Sequence, residues 1–143
     1  MNSFLPWLAV LPFFGFAAAI FFPSKEAWIS RWSFLIVATH ALAIQFYSLA
    51  FLFGTPNHYH FDGPKIYQTG SFIFNLSLYF DRTSAVFLCV GGVLTFLVTR
   101  FSRYYLHREP GYKRFFVTVL FFYSGFTLTI LAGNFELLFT GWE

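Results

Sequence analysis

The chain has 143 residues, of which 57% are hydrophobic, 25% aromatic and only 10% charged, with a formal net charge of +3. Charged residues make up roughly a quarter of typical globular chains, and a core this small cannot enclose twenty-four phenylalanines. A water-soluble domain is therefore excluded, and lipid is the solvent that remains.

The positive balance does not point to nucleic acid, because the basic residues form no continuous face. Five of the nine (Arg100, Arg103, Arg108, Lys113 and Arg114) fall in one connection between apolar runs, the way a membrane protein marks a cytoplasmic loop. The single cysteine, Cys89, lies within an apolar run and leaves no intrachain disulfide.

A membrane-spanning helix needs about 20 residues, since the hydrocarbon core is about 30 Å thick and a helix rises about 1.5 Å per residue. The first such run covers residues 4–22, "FLPWLAVLPFFGFAAAIFF". Ala17, Ala18 and Ala19 offer a small-residue cleavage site, but "MNSFLPW" has no basic start and the apolar run continues past the alanines, so a span fits better than a signal peptide. Pro6 and Pro12 are tolerable in a membrane helix, with Pro6 suited to the first turn.

The second span is expected over 32–53. It contains His40, with Gln45 five residues on. An ionisable group inside a span is a functional candidate, here a polar relay. The plainer reading, an inter-helix hydrogen bond made by a neutral imidazole, weighs more.

Residues 54–82 form a loop rich in turn formers, in which Asp62-Gly63-Pro64 reads as a tight turn. His58 and His60 make an H-x-H pair, but no cysteine or acidic cluster accompanies them, and no metal site is assigned. "SFIFNLSLYF" then alternates, with Phe72, Phe74, Leu76, Leu78 and Phe80 on one face, and predicts a strand. Pairing with Ile66–Gln68 in a small β-hairpin, or with a neighbouring subunit, would satisfy its backbone.

The third span is expected over 83–101, with Asp81 before it as a helix cap. A basic connection follows over 102–114, and the fourth span covers 115–132. Gly91-Gly92 and Ser124-Gly125 are small enough for close helix contact. A fifth apolar run begins over 134–143.

The connections after spans one and three hold seven of the nine basic residues; the opposite side holds Lys65 and Arg82. This bias predicts basic loops in the cytoplasm and the N-terminus and hairpin outside. No nucleophile elbow, phosphate-binding loop or dinucleotide fingerprint is present, and no cofactor is expected from this chain.

Glu136 and Glu143 differ in kind. Glu143 lies seven residues after Glu136 on the same helical face, about 10.5 Å deeper at the standard rise. An ionised carboxylate there is costly unless paired. Burial favours its protonated form and a facing cation its charged form, so Glu143 is the candidate for proton exchange.

"FSRYYLHREPGYKRFFVTVLFFYSGFTLTILAGNFELLFTGWE" resembles the region around the fourth and fifth helices of the antiporter-like membrane subunits. That superfamily includes NuoL-type subunits of respiratory complex I, MrpA-type cation/proton antiporters and DabB-type subunits of inorganic-carbon transporters. "LYFDRTS" resembles the family's L-x-x-D-P-L-S stretch, although Arg82-Thr83 replace Pro-Leu.

The resemblance implies an all-α polytopic membrane protein: four transmembrane helices plus the start of a fifth, with a small outer β-hairpin. Residues 1–143 would then be the N-terminal part of a fold of roughly fourteen helices in two inverted repeats. Glu143 of Gly141-Trp142-Glu143 would be the buried acid of the fifth helix, paired with a lysine on a broken seventh helix that these residues do not include.

The expected function is proton translocation in a bacterial inner membrane, alongside lipid and other membrane subunits. The wording of "YLHREPGYKRFF" is closest to the DabB type, which implies a DabA-type, zinc-containing, carbonic-anhydrase-like partner and CO₂ or bicarbonate uptake. The alternatives are a NuoL-type subunit of NADH:quinone oxidoreductase, an MrpA-type antiporter subunit and, from a different class, a non-transporting membrane anchor.

Overall fold

The computed structural model describes residues 2–54, 58–70 and 72–143. A 3₁₀ turn at Asn2–Phe4 leads into α1 (Leu5–Phe21), followed by α2 (Glu26–Leu52), β1 (Tyr59–Thr69), β2 (Phe72–Phe80), α3 (Arg82–Tyr105), α4 (Tyr112–Leu131) and α5 (Phe135–Trp142). The chain is thus mostly helical with one small antiparallel hairpin.

By length and composition α2, α3 and α4 can each cross a membrane. At 17 residues, α1 is shorter than these. With the 3₁₀ turn before it, it reaches about 30 Å, close to one hydrocarbon thickness.

Helices α1 and α2 pack together, as do α2 and α3, α3 and α4, and α4 and α1, with a further α2–α4 contact across the ring. Large apolar side chains such as Trp7, Phe14, Phe46, Leu94 and Phe122 remain exposed around the outside, as expected where the surroundings are lipid.

Among the described residues, two apolar clusters lie inside. One, containing Leu5, Ile44, Phe51, Leu78, Phe80, Leu88 and Leu131, sits against the hairpin. The other, containing Ala19, Ile29, Ile36, Phe116 and Leu120, lies towards the other end.

Several helices run further than hydropathy predicts. α2 begins at Glu26 rather than at residue 32, and α4 at Tyr112 rather than 115. Hydropathy reports contact with lipid, whereas a helix continues for as long as its backbone bonds and caps allow. Glu26 suits a first turn because its carboxylate opposes the positive end of the helix dipole.

The same Glu26 joins the two basic connections. Its Oε1 accepts from the Arg108 N–H at 2.9 Å, and its Oε2 lies 2.8 Å from His107 Nδ1. Lys113 donates from Nζ to the carbonyls of Ile20 at 2.8 Å and Phe22 at 2.6 Å, satisfying acceptors left over at the end of α1. The α1–α2 and α3–α4 connections therefore share one end of the bundle, and the hairpin lies at the other.

The expected tight turn at Asp62-Gly63-Pro64 is not there; these residues lie inside β1. The register runs from Tyr59↔Phe80 to Thr69↔Phe72 and slips between Asp62 and Lys65. A bulge absorbs a proline, which has no ladder N–H to give. Gly63 lies so close to β2 that a Cβ would meet the Leu76 carbonyl at 2.8 Å. The chain reverses instead beside Gly70, whose φ of 54° is left-handed.

β2 also holds the α4–α5 turn. Gly133 N–H donates to the Ser77 carbonyl at 2.8 Å, and Leu78 bridges Ala132. A Cβ on Gly133 would come within 2.9 Å of Ser77 backbone atoms. Asn134 acts twice: its Oδ1 accepts from the Leu137 N–H at 2.9 Å to cap α5, and its Nδ2 donates to the Asn75 carbonyl at 2.8 Å.

Replacing Asn134 therefore separates two contributions. Asn134→Asp keeps the cap and loses only the bond to Asn75, whereas Asn134→Ala loses both, at a total of about 1–2 kcal/mol. Denaturant titration in detergent should rank stability as wild type, then Asn134→Asp, then Asn134→Ala. Equal stability of wild type and Asn134→Ala would remove this brace from the account.

Candidate functional site

The site begins with Pro12 inside α1. Proline has no N–H, so the α-helical bond to the carbonyl four residues earlier, that of Leu8, cannot form. His40 of α2 supplies the missing donor: its Nε2 lies 2.8 Å from the Leu8 oxygen.

The other ring nitrogen, Nδ1, is 2.8 Å from the Tyr123 hydroxyl of α4. A carbonyl can only accept, so Nε2 carries the proton, and in the neutral ring Nδ1 accepts from the Tyr123 O–H. His40 and Tyr123 are both fully buried, and their rings meet edge to face with centroids 5.2 Å apart. One imidazole thus ties three helices together where the two apolar clusters meet.

Gln45 is not part of this contact; its Nε2 donates to the Cys89 carbonyl of α3 at 3.2 Å. Close approach of α3 depends on its glycines. A Cβ on Gly91 would overlap the Phe126 ring, and Gly92 faces both Ala41 and the Tyr123 hydroxyl. Asp81 is the N-cap of α3, its Oδ1 accepting from the Ser84 N–H at 2.8 Å. On the hairpin, His60 Nδ1 lies 3.4 Å from Asp62 Oδ2, its Nε2 lies 3.0 Å from Ser77 Oγ, and the His58 ring stacks on Tyr79.

Glu143 follows the last turn of α5, and its N–H bonds to the Phe139 carbonyl at 3.0 Å. The α4–α5 hairpin is closed by two glycines. A Cβ on Gly141 would lie 2.7 Å from the Thr129 nitrogen, and one on Gly125 2.9 Å from the Gly141 oxygen. Antiparallel packing then sets Glu143 level with about Gly125, roughly 9 Å inward from the Leu131 end of α4.

The side chain of Glu143 is exposed rather than buried among these helices. Two residues beyond Gly141 it lies about 200° round the helix, on the side of α5 turned away from α4. The structure therefore brings His40 together with Leu8 and Tyr123, but not with Glu143.

Sequence reasoning missed Tyr123, Leu8 and Lys113 as partners. A proline four residues after an apolar residue signals a stranded carbonyl, yet nothing in the sequence says which donor reaches it.

The apolar helices and their lipid-facing exterior define a multi-pass membrane protein. Residues 66–116 match the family described as "NADH-Ubiquinone oxidoreductase (complex I), chain 5 N-terminus". NADH-quinone oxidoreductase subunit L of Escherichia coli is 28% identical over 138 residues, 94% of this chain but 22% of that protein. The Pseudomonas aeruginosa protein of the same name is 35% identical over 74 residues, covering 52% of this chain and 12% of its own length. NADH-ubiquinone oxidoreductase chain 5 of Felis catus is 35% identical over 69 residues, covering 48% and 11% respectively.

Over these residues the chain is similar to the N-terminal region of antiporter-like membrane subunits. It spans about a fifth or less of the length of these relatives.

The role of His40 has a specific energetic signature. His40→Ala strands both the Leu8 carbonyl and the Tyr123 hydroxyl, and is expected to cost about 2–4 kcal/mol including the cavity. Pro12→Ala restores an N–H for Leu8, so the same His40 substitution should cost less in that background, by a coupling energy of about 1 kcal/mol. Additive costs in a double-mutant cycle of unfolding in detergent would show that His40 does not serve the stranded carbonyl.

Proposed function

We propose that the chain contributes the Glu143 site to a proton-translocating, antiporter-like subunit of the bacterial inner membrane, working alongside other membrane subunits. The observation that supports this reading is the position of Glu143: an exposed carboxylate at the end of α5, about level with Gly125 of α4, a level that this proposal puts within the hydrocarbon. Such a group needs a cation, water or another polar group opposite it. A partner that approaches and withdraws drives proton uptake and release. Asp81 serves in this reading as the cap that starts α3, and His40 as a neutral tie between helices.

Two couplings separate within this proposal. The names of the relatives support a subunit of NADH:quinone oxidoreductase. The "YLHREPGYKRFF" wording supports the finer DabB-type reading, in which a DabA-type zinc subunit is the partner and proton flow powers CO₂ or bicarbonate uptake. Purification from the native membrane distinguishes them by what accompanies the chain: an NADH-oxidising assembly or a zinc-containing, carbonic-anhydrase-like protein.

In the complete protein, Glu143→Gln keeps the side-chain size and removes the titratable group. Proton-coupled activity should fall to background while co-purification with partners is unchanged. Wild-type proton flux in that variant would overturn the assignment.

The basic-end loops are assigned to the cytoplasm and the hairpin to the outside. With Cys89→Ser as background, a membrane-impermeant maleimide applied to intact spheroplasts should label Lys65→Cys and not Arg108→Cys; the reverse pattern would invert the topology.

A further inference from the structure

At the basic end, Phe22, Ala27, Trp28, Arg31, Trp32 and Leu35 line an open groove of about 330 Å³. Trp28, Arg31, Trp32 and Leu35 recur at spacings of three, one and three residues, which is one stripe along α2. Phe22 supplies the opposite wall from the α1–α2 connection.

The floor is fixed. Trp32 donates from Nε1 to the Gly15 carbonyl at 2.9 Å, and its ring meets Phe22 edge to face at 5.0 Å. Trp28 and Leu35 are exposed, at 64% and 54%.

The charges around this groove decide what it can hold. Lys113 is committed to the Ile20 and Phe22 carbonyls, and His107 to Glu26. Arg103 lies over the Phe34 ring at 4.8 Å and Arg100 over the Tyr104 ring at 4.7 Å. Arg31 lines the groove, is exposed, and has no hydrogen bond or ion pair among the described residues.

Arg31 stands five residues into α2, about 7.5 Å from its start, and Leu35 about 6 Å deeper. Tryptophans at this depth are characteristic of the membrane–water interface. The order along the groove is therefore a cation at headgroup level followed by an aromatic and aliphatic channel running inward.

We propose that this groove binds one anionic phospholipid, its phosphate on the Arg31 guanidinium and an acyl chain along Trp32 and Leu35. A guanidinium pairs well with a phosphate, and anionic headgroups gather at basic positions on the cytoplasmic side. A zwitterionic lipid would fill the same apolar channel without the net negative charge that would balance Arg31.

Native mass spectrometry of the full chain in detergent, titrated with dioleoyl phosphatidylglycerol or dioleoyl phosphatidylcholine, tests this. Wild type should retain one phosphatidylglycerol in preference to phosphatidylcholine, and 10-fold excess inorganic phosphate should not displace it. Arg31→Gln should weaken phosphatidylglycerol retention about fivefold, the effect of roughly one interfacial cation, and leave phosphatidylcholine unchanged. Ala27→Phe fills the channel, keeps Arg31 and should weaken both lipids, while Lys25→Gln, outside the groove, should stay within twofold of wild type.

The proposal fails if wild type retains no lipid, as when another protein segment covers the groove, or holds the two lipids equally. It also fails if inorganic phosphate displaces the lipid, if Arg31→Gln binds like wild type, or if Lys25→Gln matches Arg31→Gln and so reveals diffuse charge alone.

Discussion

Pro12 removes one N–H from α1, and in an apolar interior the Leu8 carbonyl it strands has no water to turn to. His40 answers with one ring nitrogen, and the need of its second nitrogen is met by Tyr123. The requirement is local, but its solution is not: it fixes α2 against α1 in register and draws α4 across the bundle. The two apolar clusters on either side contribute close but non-directional packing. The directional bonds between them set the heights of three helices. A histidine inside a span looks functional on first reading; here its two bonds account for its presence as a tie between helices.

The heights so fixed are passed on by close backbone contacts. Tyr123 stands two residues before Gly125, and Gly125 and Thr129 form the surface on which Gly141 rests. At the far end of that hairpin, Ser77 and Asn75 hold the turn through Gly133 and Asn134. α5 is held at its start by β2 and near Gly141 by the glycine contact with α4. The level of Glu143 relative to α4 follows from these two contacts.

At the opposite end, charges that mark topology also serve as backbone partners. Lys113 closes α1, and Glu26 joins the two basic connections. A basic loop in a membrane protein is usually read as a count of charges. Here the individual residues differ: some are spent on carbonyls and aromatic faces, while Arg31 faces the surroundings beside an apolar groove.

Composition alone determined that the chain lives in lipid, and apolar run length located its helices, because both depend only on what must be kept from water. Alternation over Phe72–Phe80 determined the second strand, since period two needs no knowledge of the rest of the fold. The cap residue Asp81 was legible for the same reason, since it acts on Ser84 three residues on, and the close-packing glycines were legible from their small size, though not the helices they would meet. The bulge that carries Gly63-Pro64 inside a strand was not legible, because it depends on the partner strand passing beneath Gly63. The sequence could place Glu143 seven residues after Glu136 on one helical face, but which face α5 turns to α4 was decided by the Gly125–Gly141 contact. Only the tertiary structure could choose His40 for the Leu8 carbonyl and Tyr123 for His40, residues 32 and 83 positions apart. Sequence states which polar groups will need partners; three-dimensional packing decides which partner arrives.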